Sequence, residues 1–210
     1  MRGIGRSLRY WLYNMEKTYA IMFLTVAAIM AFQVILNGPN TLYYMPRTYF
    51  PMIGSIFLIA MLMNGANSFI PQSLSSGGTR KEVFVGMEIS AHLMIGQTLL
   101  LMAVCSGIAS IGFLGGDFFA GSLLLYLVFA GVGNLLCACG LKFGTKAGMI
   151  LYTGIVIVAA VAIGVLVSLD AENIFAVTEQ KILYGILAAA AADLVAMGIC
   201  YLAIRRYEVR

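Results

Sequence analysis

Charge is what this sequence has least of. Asp, Glu, Lys and Arg together make up 10% of its 210 residues, against roughly a quarter in a soluble globular domain. So few charges exclude a soluble fold, and with 61% hydrophobic residues and a mean hydropathy of +0.95 the chain reads as a polytopic membrane protein. Its apolar runs are continuous rather than alternating, which speaks against a transmembrane β-barrel. Histidine occurs once, too few for a His-based zinc site. The four cysteines, Cys105, Cys137, Cys139 and Cys200, all fall inside apolar runs and read as small buried hydrophobes. Cys137-Ala-Cys139 is not metal-ligand spacing. Also missing are G-x-x-x-x-G-K-[ST], G-x-S-x-G, H-E-x-x-H and a G-x-G-x-x-G that opens a helix after a strand. The expectation is a chain with no catalytic residue, no metal and no cofactor of its own, and any nucleotide energy must reach it through a partner.

What is present is a set of long apolar runs, at about Thr18–Leu36, Phe50–Ile70, Val83–Phe113, Phe118–Leu141, Ala147–Leu169 and Ile182–Ile204. A span needs about 20 apolar residues, so the chain has room for six spans and no separate soluble domain. The third run is too long for an upright span, and its first turns are expected to protrude or lie at the interface. The N-terminal run is too long for a secretory signal and no small-x-small cleavage site follows it. With the N-terminus inside, eleven of the 13 Lys and Arg fall on inner segments: Arg2, Arg6, Arg9, Lys17, Arg80, Lys81, Lys142, Lys146, Arg205, Arg206 and Arg210. Only Arg47 and Lys181 fall outside. The positive-inside rule then places both termini in the cytoplasm, and the same topology explains the net charge of +4 without nucleic acid. The fold class is an all-α membrane protein of six transmembrane helices, expected to form one transmembrane domain over 1–210, in a bacterial plasma membrane.

Met1 to Lys17 carries Ile4, Leu8, Trp11, Leu12 and Met15 at helical spacing, with Arg2, Arg6 and Arg9 on the opposite face. This predicts an interfacial helix over 1–17 ahead of a six-helix bundle over 18–204, with Trp11 in the acyl boundary and the arginines on anionic headgroups. The alternative is a positively flanked first span with no separate helix. In the outer loop, Asn37 to Phe50, Tyr43, Tyr44 and Tyr49 suit a headgroup belt, and Pro39, Pro46 and Pro51 stiffen the segment. Gly140, Gly144 and Gly148 recur every fourth residue, and Ala160/Gly164 and Gly185/Ala189 repeat that spacing, as close helix–helix seams require.

The one long polar interruption in the first two-thirds of the chain is Pro71 to Glu82, PQSLSSGGTRKE. Pro71 is expected to end one helix and begin a single polar turn over Gln72, Ser73, Leu74, Ser75 and Ser76. Gly77-Gly78 supply the permissive backbone that closes it. Thr79-Arg80-Lys81-Glu82 fits a capping box, so a new helix starts at Arg80.

Three ionisable residues fall at membrane depth. Glu88 and His92 lie four apart on one helix face, where an interfacial hydrogen bond competes with a functional role. Asp193 sits near the middle of the last run, either bonded to a Ser, Thr or Tyr on a neighbouring helix or facing a polar cavity.

The basic N-terminal helix, six spans with both ends inside, and the polar turn before Thr79-Arg80-Lys81-Glu82-Val83-Phe84 resemble the permease subunits of ABC exporters of type-two architecture, particularly short bacterial ones. In that family a coupling helix between the second and third spans docks on the ATPase, with a Gly-x-x-Arg-Lys-like run after it. The resemblance implies ATPase coupling by Gln72, Ser73, Leu74, Ser75, Ser76, Arg80 and Lys81 within 71–82. It also implies two ABC ATPase subunits that bind ATP and Mg, and a second permease copy or paralogue beside this one. Larger members carry a re-entrant helical pair before the last span, for which Leu169–Lys181 is short. Two other classes stay open: a proton-coupled carrier using Asp193, Glu88 and His92, and a non-transporting membrane sensor or anchor.

The charge asymmetry makes a direct prediction. With native cysteines replaced, a single cysteine at Ser76 is expected to react with an impermeant maleimide only from the cytoplasmic side, and one at Asn173 only from outside. Labelling of both from one side would end the six-span topology.

Overall fold

The computed structural model describes residues 2–38, 45–108, 116–144, 146–155 and 179–207. These are α1 (Arg2–Asn37), α2 (Met45–Asn64), a π-helical turn (Gly65–Phe69), α3 (Ile70–Ser75), α4 (Arg80–Ile108) and α5 (Gly116–Phe143). Helical residues 146–155 form α6, and α7 is Glu179–Arg206. No strand occurs among the described residues. Five helical stretches are long and apolar enough to cross a membrane: Ser7–Asn37, Pro51–Ser75, Arg80–Val104, Phe118–Phe143 and Ile182–Arg206. They match five of the six expected runs. The remaining one, Ala147–Leu169, is described only to residue 155, and Ala160, Gly164 and most of the segment before Lys181 lie outside the described residues.

The interfacial helix expected over 1–17 is not a separate element. α1 continues unbroken to Asn37, since neither Gly nor Pro falls between Gly5 and Gly38 and nothing stops a helix there. Trp11, Met15, Met22 and Val26 share one buried stripe along it. Trp11 is fully buried in protein, not lodged at a lipid boundary. Its ring meets Phe69 edge-on at 5.4 Å, and Gly65 and Gly86 leave room for it. Arg9 is exposed as expected, while the side chains of Arg2 and Arg6 lie outside the described set.

Pro71 does not end the second helix. The backbone stays in the right-handed helical region from Asn64 through Phe69 and Ile70 into α3. The device that admits the proline is the π turn directly before it, where Ile70 N–H bonds to Gly65 O, one residue further back than in an α-helix. Pro71 has no N–H to place in that ladder, and the widened turn relieves its ring from the preceding carbonyl. Gly65 and Ala66, both buried, carry too little side chain to keep Trp11 or Gly140 away. The polar turn is thus the tip of α2, continuous with the bundle. At the other end of α2 the helix already begins at Met45, so Pro46, Tyr49 and Pro51 belong to it and not to the outer loop; Pro39, Tyr43 and Tyr44 lie outside the described residues.

The stop after α3 follows expectation. Gly77 has φ +83°, and its neighbours close a Schellman arrangement with Gly78 N–H to Ser73 O at 3.0 Å and Gly77 N–H to Leu74 O at 3.1 Å. The capping box forms as read: Thr79 N–H donates to Glu82 Oε2 at 3.0 Å and Glu82 N–H to Thr79 Oγ1 at 3.3 Å. Gly144, with φ +90°, likewise caps α5 instead of serving as a seam residue. Gly140 and Gly148 do face each other across that turn.

α1 lies along α4 in parallel, with Ser7 and Trp11 against Gly86 and Phe23 and Val104 lining the same groove further on. The most extensive packing is between α5 and α7. A Cβ at Gly86 would stand 2.8 Å from Ser7 Oγ and 2.9 Å from Trp11 Cδ1, whereas one at Gly96 meets nothing within 4 Å. Gly96→Ala is therefore expected to hold or raise the melting temperature of the purified protein, by up to about 1 kcal/mol of helix propensity. Gly86→Ala is expected to lower it, overpacking costing about 1–3 kcal/mol. Equal effects of the two would mean that α1 does not pack on α4 in this register.

Candidate functional site

In hydrocarbon each polar group must find its partner inside the protein, and most of the buried hydroxyls here find one on their own helix. Ser55 donates to Pro51 O at 2.7 Å, Ser90 to Gly86 O at 2.8 Å and Thr98 to Met94 O at 2.8 Å. Those hydroxyls are spent locally and offer nothing to Asp193. Of the two readings open for Asp193, the bond to a Ser, Thr or Tyr on another helix is accordingly not what the structure supplies.

Instead α4, α5 and α7 bring together Glu88, His92, Asn134 and Asp193. His92 Nε2 lies 3.3 Å from Asp193 Oδ2. Asn134 Nδ2 reaches Glu88 Oε2 and Asp193 Oδ1, each at 3.4 Å. His92 Nδ1 faces the Glu88 carbonyl oxygen at 2.8 Å, and because a carbonyl only accepts, Nδ1 carries hydrogen. Glu88, Asn134 and Asp193 are 5%, 0% and 2% exposed; the His92 side chain is 41% exposed and forms the open edge of the group. Gly131 allows the contact, since α7 passes with the Asp193 backbone only 3.4 Å from where a Cβ would stand.

The group lies more than two turns inside each of the three helices. Counting at 1.5 Å per residue from the ends that carry Arg80, Lys142 and Arg206, Glu88 lies about 12 Å in, Asn134 about 14 Å and Asp193 about 20 Å. Glu88 therefore belongs to the bundle interior and not to a wet first turn. The three ionisable residues singled out in the sequence come together, and Asn134 joins them. That residue was missed because asparagine is not ionisable, although a lone Asn inside Leu123–Leu141 is itself a signal. No cluster of three or more His, Cys, Asp or Glu with the geometry to hold a metal ion occurs among the described residues. Cys137 and Cys200 are buried free thiols and Cys139 is half-buried.

Comparison with protein-family models, curated proteins and solved structures gives no match. Function has to be argued from the chain itself.

The polar tip forms a second locus at the basic end. Gln72, Ser75, Ser76, Arg80 and Lys81 are exposed and Ser73 half-buried. Gln72 is fixed by the Tyr10 hydroxyl, which donates to its Oε1 at 2.6 Å, and Arg80 Nη2 donates to Tyr207 O at 3.1 Å. Leu74, the one apolar residue of the turn, is half-buried against the core and not presented outward. The tip is thereby tied to α1 and to the end of α7.

Replacing Asn134 with Leu keeps the forked shape of the side chain but leaves two carboxyl groups without their amide donor. Unfolding of the purified protein is expected to become easier by about 1–3 kcal/mol. In a cycle with Asp193→Asn the two effects are expected to be non-additive by about 0.5–3 kcal/mol. Additivity within error would show that the two residues do not bond.

Proposed function

We propose that this chain is the permease subunit of an ATP-driven ABC exporter of type-two architecture, working as a pair of permeases energised by two separate ATPase subunits. The observation that carries the reading is the polar tip 72–81: a short helix ended by a Schellman turn, restarted by a capping box, and presenting Arg80 and Lys81 to solvent. A motor subunit needs a stiff, exposed handle whose movement reaches the membrane helices. Here α3 runs into α2 without a break and its bonds to Tyr10 and, through Arg80, to Tyr207 link it to α1 and α7. Lys142 and Arg206 line a cleft of about 950 Å³ beside the ends of α5 and α7, which widens the cationic face open to an acidic partner.

A membrane pair is supported by α1. Glu16 and Lys17 are exposed on a helix that rides along α4 from Gly86 to Val104, with Glu16 in the groove that Gln97 lines, a depth where lipid is a poor neighbour for charge. A second permease or a water-filled path between two permeases is a better one. Substrate would move along that path, and ATP and Mg would be bound by the partner subunit.

The buried group of Glu88, His92, Asn134 and Asp193 favours a second reading, a proton-coupled carrier. The two differ in their energy source.

The test uses exposed positions, so that the bundle is left intact. Lys81→Glu with Ser75→Trp is expected to release or uncouple a candidate ABC ATPase that co-purifies with the parent. The loss is expected to be larger at low salt, since exposed pairs contribute only about 0.2–1 kcal/mol each and are screened. If the doubly substituted chain holds and stimulates the ATPase as the parent does, the tip is an ordinary turn. Transport that persists without ATP and stops on collapse of the proton gradient would establish the second reading.

A further inference from the structure

The hydrogen count in the buried group does not close. Asn134 supplies two N–H hydrogens, one each to Glu88 Oε2 and Asp193 Oδ1. The single hydrogen between His92 Nε2 and Asp193 Oδ2 serves that pair, and His92 Nδ1 is committed to the Glu88 carbonyl. Two acceptor oxygens remain buried with no donor, Glu88 Oε1 and Asn134 Oδ1. Turning the Asn134 amide around would only worsen the deficit, because its oxygen would then face both carboxyl groups and each would need a hydrogen of its own. The charge count points the same way. His92 can balance Asp193, which leaves Glu88 as an uncompensated carboxylate 5% exposed inside an apolar bundle, and an unpaired buried charge costs several kcal/mol.

Among the described residues the neighbours offer no other remedy. From α4 the group is faced by Glu88 and His92 themselves, from α5 by Asn134 and from α7 by Asp193; Cys137 on α5 and Cys200 on α7 are buried free thiols. α2 carries no titratable residue after Tyr49, and on α1 the nearest charges, Glu16 and Lys17, are exposed on the outer face. No metal geometry is present among these residues, and the described cavities are lined by other residues.

We infer that Glu88 is a proton-binding site: at neutral pH it is a neutral carboxylic acid held among His92, Asn134 and Asp193. One proton on its carboxyl group removes the net negative charge and turns Oε1, one of the two oxygens without a donor, into a hydroxyl that can itself donate. Because the four residues sit on α4, α5 and α7, gain or loss of that proton changes the charge at the point where the three helices meet. The inference does not depend on the exporter reading, since it concerns the protonation of one side chain in the isolated chain.

The experiment is infrared spectroscopy of the purified protein in nanodiscs. At neutral pH a protonated-carboxyl carbonyl band is expected in the parent, falling as pH is raised. It should shift when glutamate is carboxyl-labelled with ¹³C but not when aspartate is. The band is expected to be lost in Glu88→Gln and kept in Glu179→Gln, at the first residue of α7. Absence of the band from the parent, its persistence in Glu88→Gln, or a shift with labelled aspartate alone would overturn the assignment. Isotope labelling of the parent gives the answer even where a variant does not fold.

Discussion

A lipid-embedded bundle has no water with which to bond its polar groups, and this constraint organises the structure from the backbone upward. It makes every described span a helix. It turns serine and threonine hydroxyls back onto carbonyls of their own turn, as at Ser55, Ser90 and Thr98. It leaves the carboxyl groups of Glu88 and Asp193, which cannot be satisfied within one helix, to be met across helices by Asn134 and His92. The contact of α4, α5 and α7 is thus specified by hydrogen bonds as well as by shape, where lipid provides little hydrophobic drive for one helix to prefer another.

Shape supplies the rest, through small residues placed where large ones must pass. Trp11, the single tryptophan, seats between Gly65 and Gly86 and against Phe69, so α1 is locked to α2 and α4 near the basic end. Gly140 lies against Ala66 of the π turn and Gly148 lies against Gly140. The π turn serves twice: it admits Pro71 into a continuous helix, and its small residues take in Trp11. Through it the exposed tip of α3 is joined to the place where α1 and α5 pack on α2.

The expected picture and the folded one part at instructive places. The capping box at Thr79 and the stop at Gly77 were readable because both depend on residues within a few positions of each other. The helix expected to end at Pro71 instead continues, since a proline is a strong breaker only where the preceding turn keeps α spacing, and Gly65–Phe69 does not. The arginine-faced segment 1–17 matched an interfacial helix by pattern, yet the same apolar stripe that would face lipid faces α2 and α4. Amphipathic periodicity tells which side of a helix is apolar, not whether lipid or protein covers it.

The sequence by itself determined that this is a helical membrane protein, where most of its apolar helices begin and end, and which side chains are costly to bury, because hydropathy, capping and charge act over one helix at a time. Only the tertiary structure decided that Glu88, His92 and Asp193 share one site, that Asn134 completes it, and that two of its oxygens lack a hydrogen. Residues 46 and 59 positions apart meet through the packing of whole helices, and nothing in the local spacing of a chain records which faces will touch.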